Sequence, residues 1–194
     1  MSDQNGQSAS QARGESAHIT RRTFVVLVED VPGTLSRVAS LFRRRVFNIE
    51  SLSVGRTHEA GVSRMTIVVE GDDRMGRLVE ANLYKLVEVL RVDDITHTAA
   101  VSRDLALVRV RVTPAQRAEI LHVCQVFRAR VVDVALDSMM VEVTGTEDKV
   151  RGLLALLEPF GVIELAQTGT IAMTRGDASG ALCGQTDLET QAAT

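Results

Sequence analysis

The segment Asp30-Val31-Pro32-Gly33-Thr34-Leu35 has the residue types and spacing best suited to holding a small molecule. An apolar, β-branched run ends at Glu29-Asp30, and Pro32 is placed to open a helix. A helix starting there leaves the backbone N–H groups of about Gly33, Thr34 and Leu35 without intrahelical acceptors, and their positive end attracts a carboxylate. Gly33 lets a ligand come close to the backbone, Asp30 offers an anion to an ammonium group, and Val31 and Leu35 supply apolar walls. Such a turn suits a zwitterion with a small aliphatic side chain, in other words a free amino acid. A plainer reading stands beside it: Asp30 or Thr34 caps the helix, and Gly33 only eases a turn.

Other chemistries find less support. The four histidines (His18, His58, His97, His122) are scattered, with none at metal-ligand spacing. No nucleophile stands near a base, and no Gly-rich phosphate loop occurs, so no residue is assigned a catalytic role. The adjacent pairs Glu29-Asp30 and Asp72-Asp73 fall at strand ends and turns, where carboxylates are solvated or capping. Arg43-Arg44-Arg45 close a helix and offset the negative end of its dipole, with contact to an acidic partner surface as the alternative. A net charge of −3, 3% aromatic residues and no Trp argue against nucleic acid as a partner. No apolar stretch approaches the ~20 residues a bilayer requires, and the first residues lack an apolar signal core, so no membrane partner and a cytoplasmic location are expected. Cys124 falls on an apolar helix face and Cys183 in a polar segment, which suggests no disulfide framework.

The elements that must position the turn follow from hydrophobic periodicity, which alternates between 2 and 3.6. Strand patterns cover 22–29, 48–55, 62–71 and 86–96. One helical stripe is Leu35, Val38, Ala39, Phe42 and Val46, and a second is Met75, Leu78, Val79 and Leu83. The order strand, helix, strand, strand, helix, strand then repeats. A strand at 105–112 leads to a helix with Thr113 as N-cap, Pro114 at N1 and Gln116 at N3 of a capping box, striped by Ile120, Val123, Cys124 and Phe127. A hairpin turns at Asp137-Ser138, Val150, Leu153, Leu154 and Leu157 stripe the last helix, and "VIELAQTGTIAM" reads as one closing strand. The fold class is therefore α+β: two tandem ferredoxin-like βαββαβ units, each an antiparallel sheet with two helices on one face. The expected boundaries are a unit at 21–97, a linker at 98–103 and a unit at 104–175. Tails at 1–20 and 176–194, polar and poor in large aliphatics, are expected to be disordered.

Because this topology hosts many functions, sites must decide among them. An RNA-recognition module would carry aromatics on its central strands, and "TFVVLVED" and "SRMTIVVEG" offer one Phe. At the Asp30 turn, however, "EDVPGTLSRVASLFRRRVFNIESLSVG" resembles the start of an ACT domain, in its D-x-P-G-x-L turn, its amphipathic helix and its N-I strand opening. With "SRMTIVVEG", "KLVEVLRV", "SRDLALVRVRV", "LEPFGVIELAQTG" and "MTRGD" following in order, the chain from about Thr23 to Asp177 resembles the small, regulatory subunits of acetolactate synthase. That resemblance implies a homodimer whose ACT interface binds valine or another branched-chain amino acid. It also implies a catalytic large-subunit partner holding thiamine diphosphate, magnesium and usually FAD, with no cofactor in this chain. The small subunit would raise the partner's activity and confer feedback inhibition. Family contacts carried onto matching positions are Asp30, Gly33 and Leu35 of one chain and Asn48 and Ile49 of its neighbour, with Val31, Pro32 and Thr34 completing the turn. A stand-alone double-ACT sensor acting on another target is the alternative. Val46 departs from the family pattern, which has Gly there. A β-branched residue in a left-handed helix cap is strained by ~1–3 kcal/mol, so either the helix ends differently or the site near Asn48 shifts.

Overall fold

The computed structural model describes residues 19–176. Most of the expected tails, with His18 and Cys183, lies outside that range, but Thr20 is not tail: it opens the first strand. The first unit comprises β1 (Thr20–Glu29), α1 (Thr34–Arg44), β2 (Ile49–Arg56), β3 (Val62–Gly71), α2 (Asp73–Leu83) and β4 (Val89–Asp94). The second comprises β5 (Ala100–Arg111), α3 (Arg117–Val126), β6 (Arg130–Val134), β7 (Ser138–Gly145), α4 (Glu147–Leu157), a 3-10 turn at Glu158–Phe160, β8 (Val162–Gln167) and β9 (Ile171–Thr174). Strand orders β2-β3-β1-β4 and β6-β7-β5-β8, antiparallel throughout, are the same arrangement built twice. Alternation sends Phe24, Val26 and Val28 of β1 against Val38, Leu41 and Phe42 of α1. In the second unit Ala106, Val108 and Val110 meet Ile120 and Leu153 in the same way.

Four expectations change. The closing strand breaks at residues 168–170 into β8 and β9. The expected linker at 98–103 supplies the first four residues of β5, which pair with β9 from Ala100↔Thr174 to Arg103↔Ile171. This two-stranded ribbon lies against the helix-free face of the first sheet, where Ala172 packs with Val25 and Ile95. Burial of β1 on both faces explains why its sequence is a nearly continuous apolar run rather than an alternating one. On α1, Leu41 joins the buried stripe, while Leu35, Ala39 and Val46 are exposed. Finally, α3 starts at Arg117 after a turn in which the Gln116 N–H donates to the Thr113 carbonyl (3.0 Å). Only half of the capping box forms: Gln116 Oε1 accepts from the Thr113 N–H (3.1 Å) and from the Thr113 hydroxyl (2.8 Å).

Candidate functional site

The β1–α1 turn is an open helix N-terminus. Gly33 is the N-cap, in the left-handed region (φ 94°), and no side chain caps the helix. Neither residue expected as a cap acts as one. Asp30 donates its N–H to the Gly61 carbonyl (2.7 Å), and its carboxylate pairs with Arg56 (3.3 Å). Thr34, 5% exposed, donates its hydroxyl inward toward the Val31 carbonyl (3.0 Å) with the Glu29 carbonyl at 3.3 Å, and so braces the turn. The Thr34 N–H is satisfied by the Val31 carbonyl (3.3 Å), whereas those of Gly33, Leu35 and Ser36 meet no acceptor among the described residues. A Cβ at Gly33 would meet nothing within 4 Å, which shows the open approach to these donors. Val31 and Leu35 flank the approach with 45% and 44% of their surfaces exposed. Donors for a carboxylate, an acceptor for an ammonium group and two aliphatic walls therefore meet at one surface turn, with Pro32 opening it.

Asn48 and Ile49 lie elsewhere. Glu29, beside the turn, is in register with Val62 at the start of β3, whereas Ile49 is in register with Val69 near its end. Seven residues of strand separate the two places, roughly 23 Å at the usual rise. Within one chain they do not form one site. Asn48 is exposed and makes no side-chain hydrogen bond among the described residues, and Ile49 packs on the edge of the first core. The residue that sequence reading missed is Arg56. It ends β2, and only the register of β2 and β1 on β3 brings it to Asp30, so no local pattern could have disclosed it.

The helix does not end differently at Val46: the valine itself takes the left-handed cap position, at φ 59° and 89% exposed. Its N–H bonds to the Arg43 carbonyl (3.2 Å) and that of Phe47 to the Phe42 carbonyl (3.0 Å), the paired bonds of a Schellman cap. The two rings of Phe42 and Phe47 meet edge to face at 6.0 Å, which holds the left-handed residue in place. Asp72, expected to cap or be solvated, caps α2 through the Met75 N–H (2.7 Å). Asp73 pairs with Arg22 (2.6 Å).

Among the described residues no cluster of His, Cys, Asp and Glu could hold a metal ion, and no helix is long and apolar enough to cross a membrane. Burial pushes the Cys124 thiol above its usual pKa, away from nucleophilic use. A cavity of about 540 Å³ lies not at the turn but between the first sheet and the ribbon, lined by residues such as Arg64, Val101 and Met173.

Comparison with known proteins agrees along most of the described chain. A family model for an "AHAS small subunit-like ACT domain" matches residues 24–91, and one for the "small subunit of acetolactate synthase" matches 103–176. A probable acetolactate synthase small subunit of Archaeoglobus fulgidus is 52% identical over 157 residues, covering 81% of this chain and 98% of its own. The acetolactate synthase small subunit of Mycolicibacterium smegmatis is 46% identical over 154 residues, covering 79% and 91%. The crystal structure of the acetolactate synthase small subunit from Thermotoga maritima superposes with a TM-score of 0.76 at 37% identity, covering 81% of this chain and 98% of that one.

Proposed function

The chain belongs to the family of acetolactate synthase small subunits, and from that premise we propose that it regulates a catalytic large subunit and does no chemistry itself. It raises that partner's activity and passes on feedback inhibition by valine or another branched-chain amino acid. Thiamine diphosphate, magnesium and FAD belong to the large subunit, which joins two 2-keto acids into acetolactate or acetohydroxybutyrate in the cytoplasm.

The uncapped start of α1 carries the effector assignment. The amino acid's carboxylate takes the N–H groups of Gly33, Leu35 and Ser36, where the helix dipole favours an anion, its ammonium group takes Asp30, and its side chain lies between Val31 and Leu35. The separation of Asn48 from this turn supports a site shared by two copies. β2 is an edge strand, and exposed edges invite a second strand. Two β2 strands paired antiparallel about a two-fold axis bring the Asn48 end of one to the Arg56 end of the other, beside that copy's Asp30 turn.

Complementation in the reconstituted holoenzyme tests this reading. Gly33→Asp is expected to abolish valine inhibition, and Asn48→Ala to weaken it about 2- to 12-fold, the worth of one hydrogen bond. A mixture of the two variants forms heterodimers with one fully wild-type site, so inhibition at the wild-type valine concentration should partly return. A mixture no more sensitive than the average of its parts would show that the site is not shared.

A further inference from the structure

We propose that the joint between the two units binds a small cation carrying a primary ammonium group, centred on Asp104. A cavity of about 350 Å³ opens there, walled by Arg21, Glu50 and Ser51 of the first unit and by Asp104, Glu147 and Thr168 of the second. Asp104 is 4% exposed. Its Oδ2 accepts from Gln167 Nε2 (3.0 Å), while Oδ1 is buried with no partner among the described residues. A buried carboxylate oxygen without a donor is costly, and Asp104 is one of the residues that line the cavity.

Charge and shape indicate the ligand class. Three carboxylates line the cavity against one cation, Arg21, which already engages Glu50 (2.7 Å) and Glu147. Arg151 reaches Glu147 (2.9 Å), so among the described residues the charge left without a counter-ion in this cavity is that of Asp104. The hydroxyl oxygens of Ser51 and Thr168 already accept the N–H groups of Thr170 (2.7 Å) and Leu105 (3.1 Å), which leaves Asp104 the strongest free acceptor. A divalent metal lacks ligands, since no cluster of suitable side chains forms among the described residues. Leu52 is the single aliphatic side chain in the wall, so a branched-chain side chain gains little there, which separates this cavity from the α1 turn. The space exceeds the ~30 Å³ of one water by enough to take a molecule of several non-hydrogen atoms. Because the walls come from both units, occupancy ties the second unit to β2 next to Ile49.

Thermal unfolding of the full chain at constant ionic strength tests the proposal independently of any valine response. Ethanolammonium chloride should raise Tm saturably, by about 3–6 °C at ten times its Kd. Tetramethylammonium, with the same charge and no N–H, should not. Asp104→Asn should abolish the rise while keeping an acceptor for Gln167. Glu50→Gln, on the rim of the cavity, should weaken the apparent affinity severalfold and keeps the test open if the first variant folds poorly. An equal, Asp104-dependent response to potassium would overturn the ammonium assignment. No response in the wild type, or the same response in both variants, would overturn the site altogether and leave the cavity to water.

Discussion

β1 and β5 each end three residues before a proline, Pro32 and Pro114, and each feeds the first helix of its unit. In the second unit Gln116 folds back on Thr113 and completes the turn internally. In the first, glycine stands as N-cap, the first helical turn carries no acid, and three N–H groups stay open. With glycine as the N-cap, the missing side-chain cap forgoes only about a few tenths of a kcal/mol. The same fold can therefore start this helix closed, and the open version is the one beside an acceptor, a cation and two exposed aliphatics. Unmet donors become a binding feature only where the neighbours supply the rest of the ligand's chemistry.

The sharpest way to break this contrast is to place a carboxylate in each turn. Gly33→Asp should remove valine inhibition of the holoenzyme, a shift of about 5- to 150-fold in the effective valine concentration, with activation kept. Ala115→Asp, at the matching place in the second unit, should leave the inhibition curve unchanged. Equal effects would end the distinction between the turns. Gly33→Asp also meets the left-handed backbone at this position, with a stability loss of about 1 kcal/mol.

The next effect concerns how the units meet. A Cβ on Gly169 would collide with the backbone of Leu52 and Ser53, atoms that cannot swing aside. Gly169→Val should destabilise the chain by about 1–3 kcal/mol in urea unfolding, whereas Gly55→Val, with open space around it, should cost less. Truncation after Arg103 would also remove β9 and uncover Val25 and Ile95, so a fragment cut there should bind hydrophobic dyes more strongly than the full chain.

Smaller effects lie where the units agree. α3 ends as α1 does, with Arg128 at φ 49° and the Ala129 N–H on the Cys124 carbonyl (2.8 Å). Val46→Gly should stabilise by about 1 kcal/mol, raising Tm by about 2–4 °C, and Arg128→Gly by less, because an unbranched side chain is less crowded there. Gln116→Ala should cost ~0.5–1 kcal/mol, read by urea unfolding. Smallest in energy, Cys124 in a Cys183→Ser background should resist iodoacetamide at pH 8 until the protein unfolds, since burial raises its pKa and keeps it protonated.

What local sequence determined is what depends on a few neighbouring residues. Period 2 and period 3.6 give the strands and helices and Pro32-Gly33 marks the helix start, whereas the uncapped state of that start and the left-handed turn at Val46 were decided by the structure. The ordered motifs of both units gave the family. What the tertiary structure decided depends on residues far apart in sequence. The break of the closing strand at 168–170 exists because β9 finds its partner in Ala100–Arg103 and cover for Val25 on the first sheet, which no local pattern encodes. Arg56 reaches Asp30, and Asn48 lies a sheet-length away from it, because β1 and β2 are both registered on β3. Asp104 was one more charge near a strand start until folding buried it against a cavity shared by two units. Backbone preference is local and readable in order along the chain, whereas register and burial are properties of the assembled sheets.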